Sequence, residues 1–126
     1  MAAFPGPRSQ AAMTLFEKIA KREIPAEIVH EEDDFFVGRD INPQAPVHVL
    51  VVPRRHLVDA GSVGPHDADD VAALLIAAKA VADAEGIGGP DRGYRLVFNV
   101  GPDASNSVPH LHLHVLGGRV LEGLPA

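Results

Sequence analysis

The stretch His110-Leu111-His112-Leu113-His114-Val115-Leu116 alternates imidazole with aliphatic side chains over seven residues. That period belongs to a β-strand, where neighbours point to opposite faces and residues two apart stand about 7 Å from each other on one face. His110, His112 and His114 therefore form one row, and Leu111, Leu113 and Val115 turn toward a core. The pattern predicts a strand over 110–116, ended by Gly117-Gly118. Three imidazoles in a row suit two chemistries. One is a Zn²⁺ site with an open position. The other is nucleophilic catalysis at phosphorus, with neighbouring imidazoles tuning charge and moving protons. Spacing alone does not choose between them. Upstream, Asn99, Gly101, Ser105, Asn106 and Ser107 form a loop of small and amide residues that can offer N–H and O–H donors to an anion. A zinc site would instead call for carboxylates behind its ligands, and Asp103 is the one nearby.

Working outward, Tyr94 to Val100 reads as a strand leading into that loop. Val47 to Val52 is a β-branched run stopped by Pro53. Ile28 to Glu31 and Phe35 to Arg39 read as strands around the acidic turn Glu32-Asp33-Asp34. Two helices complete the chain. Thr14-Leu15-Phe16-Glu17 has the form of a capping box, predicting a short helix over about Leu15 to Arg22 with Pro25 beyond it. Asp67 is placed as an N-cap, with Asp69 and Asp70 in the first turn. Val71, Leu74, Leu75, Ala78, Val81 and Ala82 follow at helical spacing, so the long helix spans Asp67 to Glu85, closed by Gly86. The sum is an α+β fold: a five-stranded antiparallel sheet with one long and one short helix.

The chain has 126 residues, a length that suits one domain. Residues 1–12 read as a flexible segment and 13–126 as the domain. The net charge of −6 gives no basic footprint for nucleic acid. With no cysteine, disulfides, thiolate metal sites and a Cys nucleophile are excluded. No apolar run reaches the ~18 residues of a membrane span, and the first ten residues lack the apolar stretch of a signal peptide. The expectation is a cytoplasmic protein that meets neither membrane nor nucleic acid.

The alternating histidines resemble the histidine-triad (HIT) family. The following Gly117-Gly118-Arg119 is similar to its Hint branch, the histidine-triad nucleotide-binding proteins. The likeness runs from about Leu15 to Arg119. It includes Phe16-Glu17-Lys18-Ile19, Glu23-Ile24-Pro25-Ala26, Asp40-Ile41-Asn42-Pro43-Gln44-Ala45-Pro46-Val47-His48, Val52-Pro53-Arg54-Arg55-His56 and Gly93-Tyr94-Arg95. The resemblance implies hydrolysis of purine nucleoside phosphoramidates or acyl-adenylates without metal or other cofactor. His112 would be the nucleophile, His114 a ligand of the phosphate oxygens, and Ser107 the donor to the leaving atom. His110, partnered by His48, would orient His112, and Asn99 would be a further phosphate contact in the loop of Ser105 and Asn106. Asp40 would hold the ribose hydroxyls, and Phe16, Ile19, Ile24 and Ile41 would clamp the base. A homodimer with a continuous sheet is also implied. The rival classes are a nucleotide-binding or scaffold protein with little catalysis, and a zinc hydrolase.

The chain departs from the Hint pattern at four places. Ser105 and Asn106 stand where Gly and Gln are usual, Gly38 stands where many relatives carry an aromatic, and residues 122–126 lack an aromatic. Gly38 should remove one wall of the base pocket. Phe35 and Phe36 are the candidates to fill it, and Phe36 is the one on the same face.

Overall fold

A computed structural model describes residues 15–21 and 26–123. Five strands form one antiparallel sheet in the order β1-β2-β3-β5-β4. They are β1 (Ile28–Glu31), β2 (Phe35–Arg39), β3 (Val47–Pro53), β4 (Tyr94–Val97) and β5 (Leu113–Gly117). Helix α1 (Leu15–Ala20) precedes them, and α2 (Ala68–Ala84) lies between β3 and β4. The expected α+β architecture is present. The proposed cap at Thr14, the stop at Pro25 and the end of the short helix at Arg22 lie outside the described residues, as does the expected flexible segment 1–12.

Strand alternation separates two layers of packing. On one face Val37, Val49, Val51, Leu111, Leu113 and Val115 meet Leu74, Ala77, Ala78, Val81 and Ala82 of α2, and all of them are buried. On the other face Phe36 and Val52 pack with Phe16 of α1, joined by Ile19, Ile28, Leu50 and Val108. Burying a valine or leucine side chain contributes roughly 1.5–3 kcal/mol. The α2 face therefore carries most of the cohesion, and the α1 face is left to shape a cleft.

Two strands are shorter than the sequence implies, and one cause explains both. The regular ladder of β5 begins at Leu113, paired with Val51. It cannot extend back toward His110, because Pro53 has no N–H to offer. Leu111 N–H instead donates to the Leu57 carbonyl at 2.6 Å. β4 then ends at Val97, whose partner is His114, so the predicted continuation to Val100 has no ladder to join.

Helix α2 starts one residue after Asp67, behind a 3₁₀ turn over Pro65–Asp67. Asp67 makes no side-chain cap bond to α2. Its carboxylate accepts from Gly64 N–H at 2.9 Å and from Arg55 at 2.7 Å. Those bonds, the Gly64 N–H first, hold its pKa below the usual carboxylate value. Arg55 also pairs with Asp70. The Arg54-Arg55 turn is thus tied on one side to α2, and on the other Arg54 bonds Glu31 at 3.0 Å.

Candidate active site

The α1 face of the sheet holds a cleft of about 380 Å³. Its apolar lining includes Phe16, Ile19, Phe36, Leu50 and Val52, and its polar end carries Asp40, Ser107, His112 and His114. The alternation that sends Val49 and Val51 to the α2 core sends His48, Leu50 and Val52 to this side. Asp40 follows β2, where its backbone N–H donates to the His48 carbonyl at 3.0 Å.

The hydrogen bonds assign the imidazole tautomers. His112 Nδ1 lies 2.8 Å from the His110 carbonyl. A carbonyl only accepts, so Nδ1 bears the proton and Nε2, across the ring, bears the lone pair. His48 Nδ1 accepts Gln44 N–H at 3.0 Å. Its Nε2–H can then donate to His114 Nδ1, 2.9 Å away. That leaves the proton of His114 on Nε2, and the Asn99 amide group 3.5 Å away must turn its oxygen toward that N–H to accept it. The polar end thus offers a nucleophilic lone pair on His112 beside an N–H donor on His114, with ring centroids 5.1 Å apart.

Burial favours neutral rings. It is the first cause lowering the pKa of His48, His110 and His112. His114 is lowered to about 4 by burial, with His112 and His48 adding to the effect. Asp40 opposes the shifts of His48, His112 and His114: its Oδ2 lies 3.4 Å from His48 Nε2 and 4.0 Å from His114 Nδ1. Its Oδ1 accepts Asn42 N–H at 2.8 Å, and a carboxylate has lone pairs for further donors.

One expected pairing is corrected. His48 does not partner His110; it partners His114. Register decides this, because Leu50 pairs with His114 and His48 lies one rung further along β3, opposite Leu116. His110, beyond the ladder, is buried and donates Nε2–H to the Pro53 carbonyl at 2.8 Å. It meets His112 through its own carbonyl. The row of three therefore divides: His112 and His114 line the cleft, and His110 lies at the edge of the Phe16 ring.

Ile41 stands at the cleft rim, 91% exposed. Ile24 lies outside the described residues. Ser105 and Asn106 are not among the lining residues. Asn106 Oδ1 accepts Val108 N–H at 3.4 Å, and Ser105 takes the left-handed backbone (φ 60°) that favours glycine. At Gly38 a Cβ would meet the Glu27 carbonyl at 3.5 Å and the Phe36 ring at 3.9 Å. Phe36, two residues earlier on the same face, lines the cleft beside Gly38.

Leu50 and Val52 are lining residues that sequence reasoning missed, although their alternation with His48 signalled the face. His56 was missed as well. Its Nε2–H donates to the Pro109 carbonyl at 2.7 Å, and no local pattern announces that contact.

Two groups of described residues bring ligand-type atoms within 4.8 Å of one another: Glu17 with His56 and His110, and Asp40 with His48 and His114. In the second, the facing nitrogens already share a hydrogen bond. In the first, both rings commit Nε2–H to carbonyls.

An antiparallel α+β sheet with a cluster of largely buried histidines at one end of an apolar cleft defines a histidine-triad class of protein. The HIT domain model matches residues 21–121, and the chain belongs to the HIT family. It is 48% identical over 106 residues to an uncharacterized HIT-like protein of Synechocystis, covering 84% of this chain and 90% of that one. A 14 kDa zinc-binding protein of Zea mays is 43% identical over 117 residues, covering 89% and 87%. Among solved structures, a HIT family hydrolase from Legionella pneumophila superposes with a TM-score of 0.82 at 46% identity, covering 86% of this chain and 95% of that one.

Proposed function

We propose that this protein is a Hint-like nucleotide-binding hydrolase that cleaves purine nucleoside phosphoramidates or acyl-adenylates through a nucleotidyl intermediate on His112. The observation that carries the proposal is the 2.8 Å bond from His112 Nδ1 to the His110 carbonyl. It leaves Nε2 of a neutral ring as the nucleophile in the cleft. Attack forms the Nε2–P bond as the P–N bond breaks. The departing nitrogen must gain a proton, because an amide anion is too basic to leave. Ser107, on the cleft wall, is assigned that transfer. His114 Nε2–H is assigned to a phosphoryl oxygen, where charge develops. Water then breaks the Nε2–P bond, releasing the nucleoside monophosphate and restoring the ring. Asp40 is assigned the ribose hydroxyls, and Phe16, Ile19, Phe36, Leu50 and Val52 the base.

A homodimer is part of the proposal. β4 is an edge strand, and Leu96 on it and Leu75 and Ile76 on α2 are exposed. No described helix is long and apolar enough to cross a membrane.

The test is turnover of adenosine 5′-phosphoramidate by chelator-treated protein. Wild type should hydrolyse it, and His112→Ala should lose nearly all turnover while keeping nucleotide affinity within a few fold. Wild-type turnover in His112→Ala would refute the nucleophile. Binding without turnover in the wild type would favour a nucleotide-binding or scaffold protein. Stoichiometric zinc together with loss of activity on chelation would favour a zinc hydrolase.

A further inference from the structure

Two histidines on crossing segments exchange the same kind of bond. His110 donates Nε2–H to the carbonyl of Pro53, the last residue of β3, at 2.8 Å. His56, just beyond that strand, donates Nε2–H to the carbonyl of Pro109, the residue before His110, at 2.7 Å. Their rings meet edge to face with centroids 5.1 Å apart. Neither proline can supply a ladder N–H, so these reciprocal bonds, with Leu111 N–H on the Leu57 carbonyl, join the exit of β3 to the approach of β5. The segment held in this way, Pro109 to Leu111, contains the His110 carbonyl, which accepts His112 Nδ1–H.

We propose that His56 is a positioning residue: by pinning the Pro109 carbonyl it fixes the His110 carbonyl, and so keeps the His112 lone pair on Nε2. Without the pin, the His110 carbonyl can move off the His112 ring. The tautomer with its proton on Nε2 then becomes accessible, and in that form the atom facing the cleft has no lone pair. A sub-ångström loss of placement also lowers the reaction rate, since displacements of about 1 Å can cost about a hundredfold. The proposal rests on His112 being the nucleophile.

Two variants separate the bond from the packing. His56→Gln keeps an N–H donor and loses the ring; His56→Phe keeps a ring and loses the donor. Each is measured for kcat and KM on adenosine 5′-phosphoramidate and, by ¹⁵N NMR of the labelled histidines, for the His112 tautomer. The expected result is a kcat at least about tenfold lower in His56→Phe with KM within about twofold. The His112 tautomer should be mixed in that variant, and His56→Gln should recover most of kcat and the Nδ1–H form. Wild-type kcat in His56→Phe, equal losses in both variants, or a better His56→Phe than His56→Gln would each overturn the proposal. If the wild type itself showed no turnover, the proposed function would fall. The NMR comparison would then decide the pin alone, and an unchanged His112 tautomer in His56→Phe would overturn it.

Discussion

At the scale of single residues, the cleft sorts its histidines by what the backbone offers them. His112 meets a carbonyl and keeps its proton on Nδ1, whereas His114 meets a ring nitrogen and keeps its proton on Nε2. Ser107 faces the same space, and its assigned role has a definite signature. Ser107→Ala should lower turnover of alkylamine phosphoramidates more than that of substrates whose leaving group needs no proton. Equal losses on both, in parallel kinetic assays, would remove the role. Ser105 departs from glycine at a left-handed position, where a side chain costs roughly 1 kcal/mol. Ser105→Gly should therefore raise stability by up to about 1 kcal/mol in urea titrations. Gly38 is faced by the Phe36 ring and the Glu27 carbonyl. With that ring already beside it, Gly38→Phe should leave adenosine monophosphate binding unchanged or weaker, as calorimetry can measure.

At the scale of elements, β3 and β5 determine the site because each serves two layers. Alternate residues of both strands enter the α2 core, and the others face α1. Leu113 is fully buried between His112 and His114. Leu113→Ala should cost about 2–5 kcal/mol, the range for a leucine removed from a packed core, as read by denaturant unfolding. The elements were legible to different degrees. The bounds of β1 and β2 match the predicted ones, since the acidic turn Glu32-Asp33-Asp34 between them separates two short strands. α2 differs only at its caps. β4 and β5 differ because a ladder ends where its partner ends, and Pro53 lies on another strand.

At the scale of the whole molecule, the buried histidines couple folding to pH. The unfolded chain protonates histidine near its ordinary value of about 6.5, and the folded chain resists, with His114 lowered to about 4. Below about pH 6.5 the unfolded state therefore binds more protons, and stability falls as pH drops. The stabilisation is complete above that value and is lost by about pH 4, with His114 contributing on the order of 3 kcal/mol. Thermal melts between pH 7.5 and 4 should show the fall, and a flat profile would mean that these rings are not held neutral. The proposed dimer has its own check. Ile76→Asp combined with Leu96→Arg should shift sedimentation from a dimer to a monomer.

The sequence by itself determined the alternation of β5, the apolar stripe of α2 and the face on which His112, His114, Leu50 and Val52 stand. Periodicity is local, and the chain carries it wherever the strand is placed. Only the tertiary structure decided partners. His48 meets His114 rather than His110 because the β3–β5 register places it there. His56 reaches Pro109 across 53 residues of chain. The Phe36 ring and the Glu27 carbonyl come to flank Gly38, which pairs with Ile28 of β1. Each of these depends on which segments become neighbours, and that follows from burying two faces of one sheet at once, not from any stretch of sequence read alone.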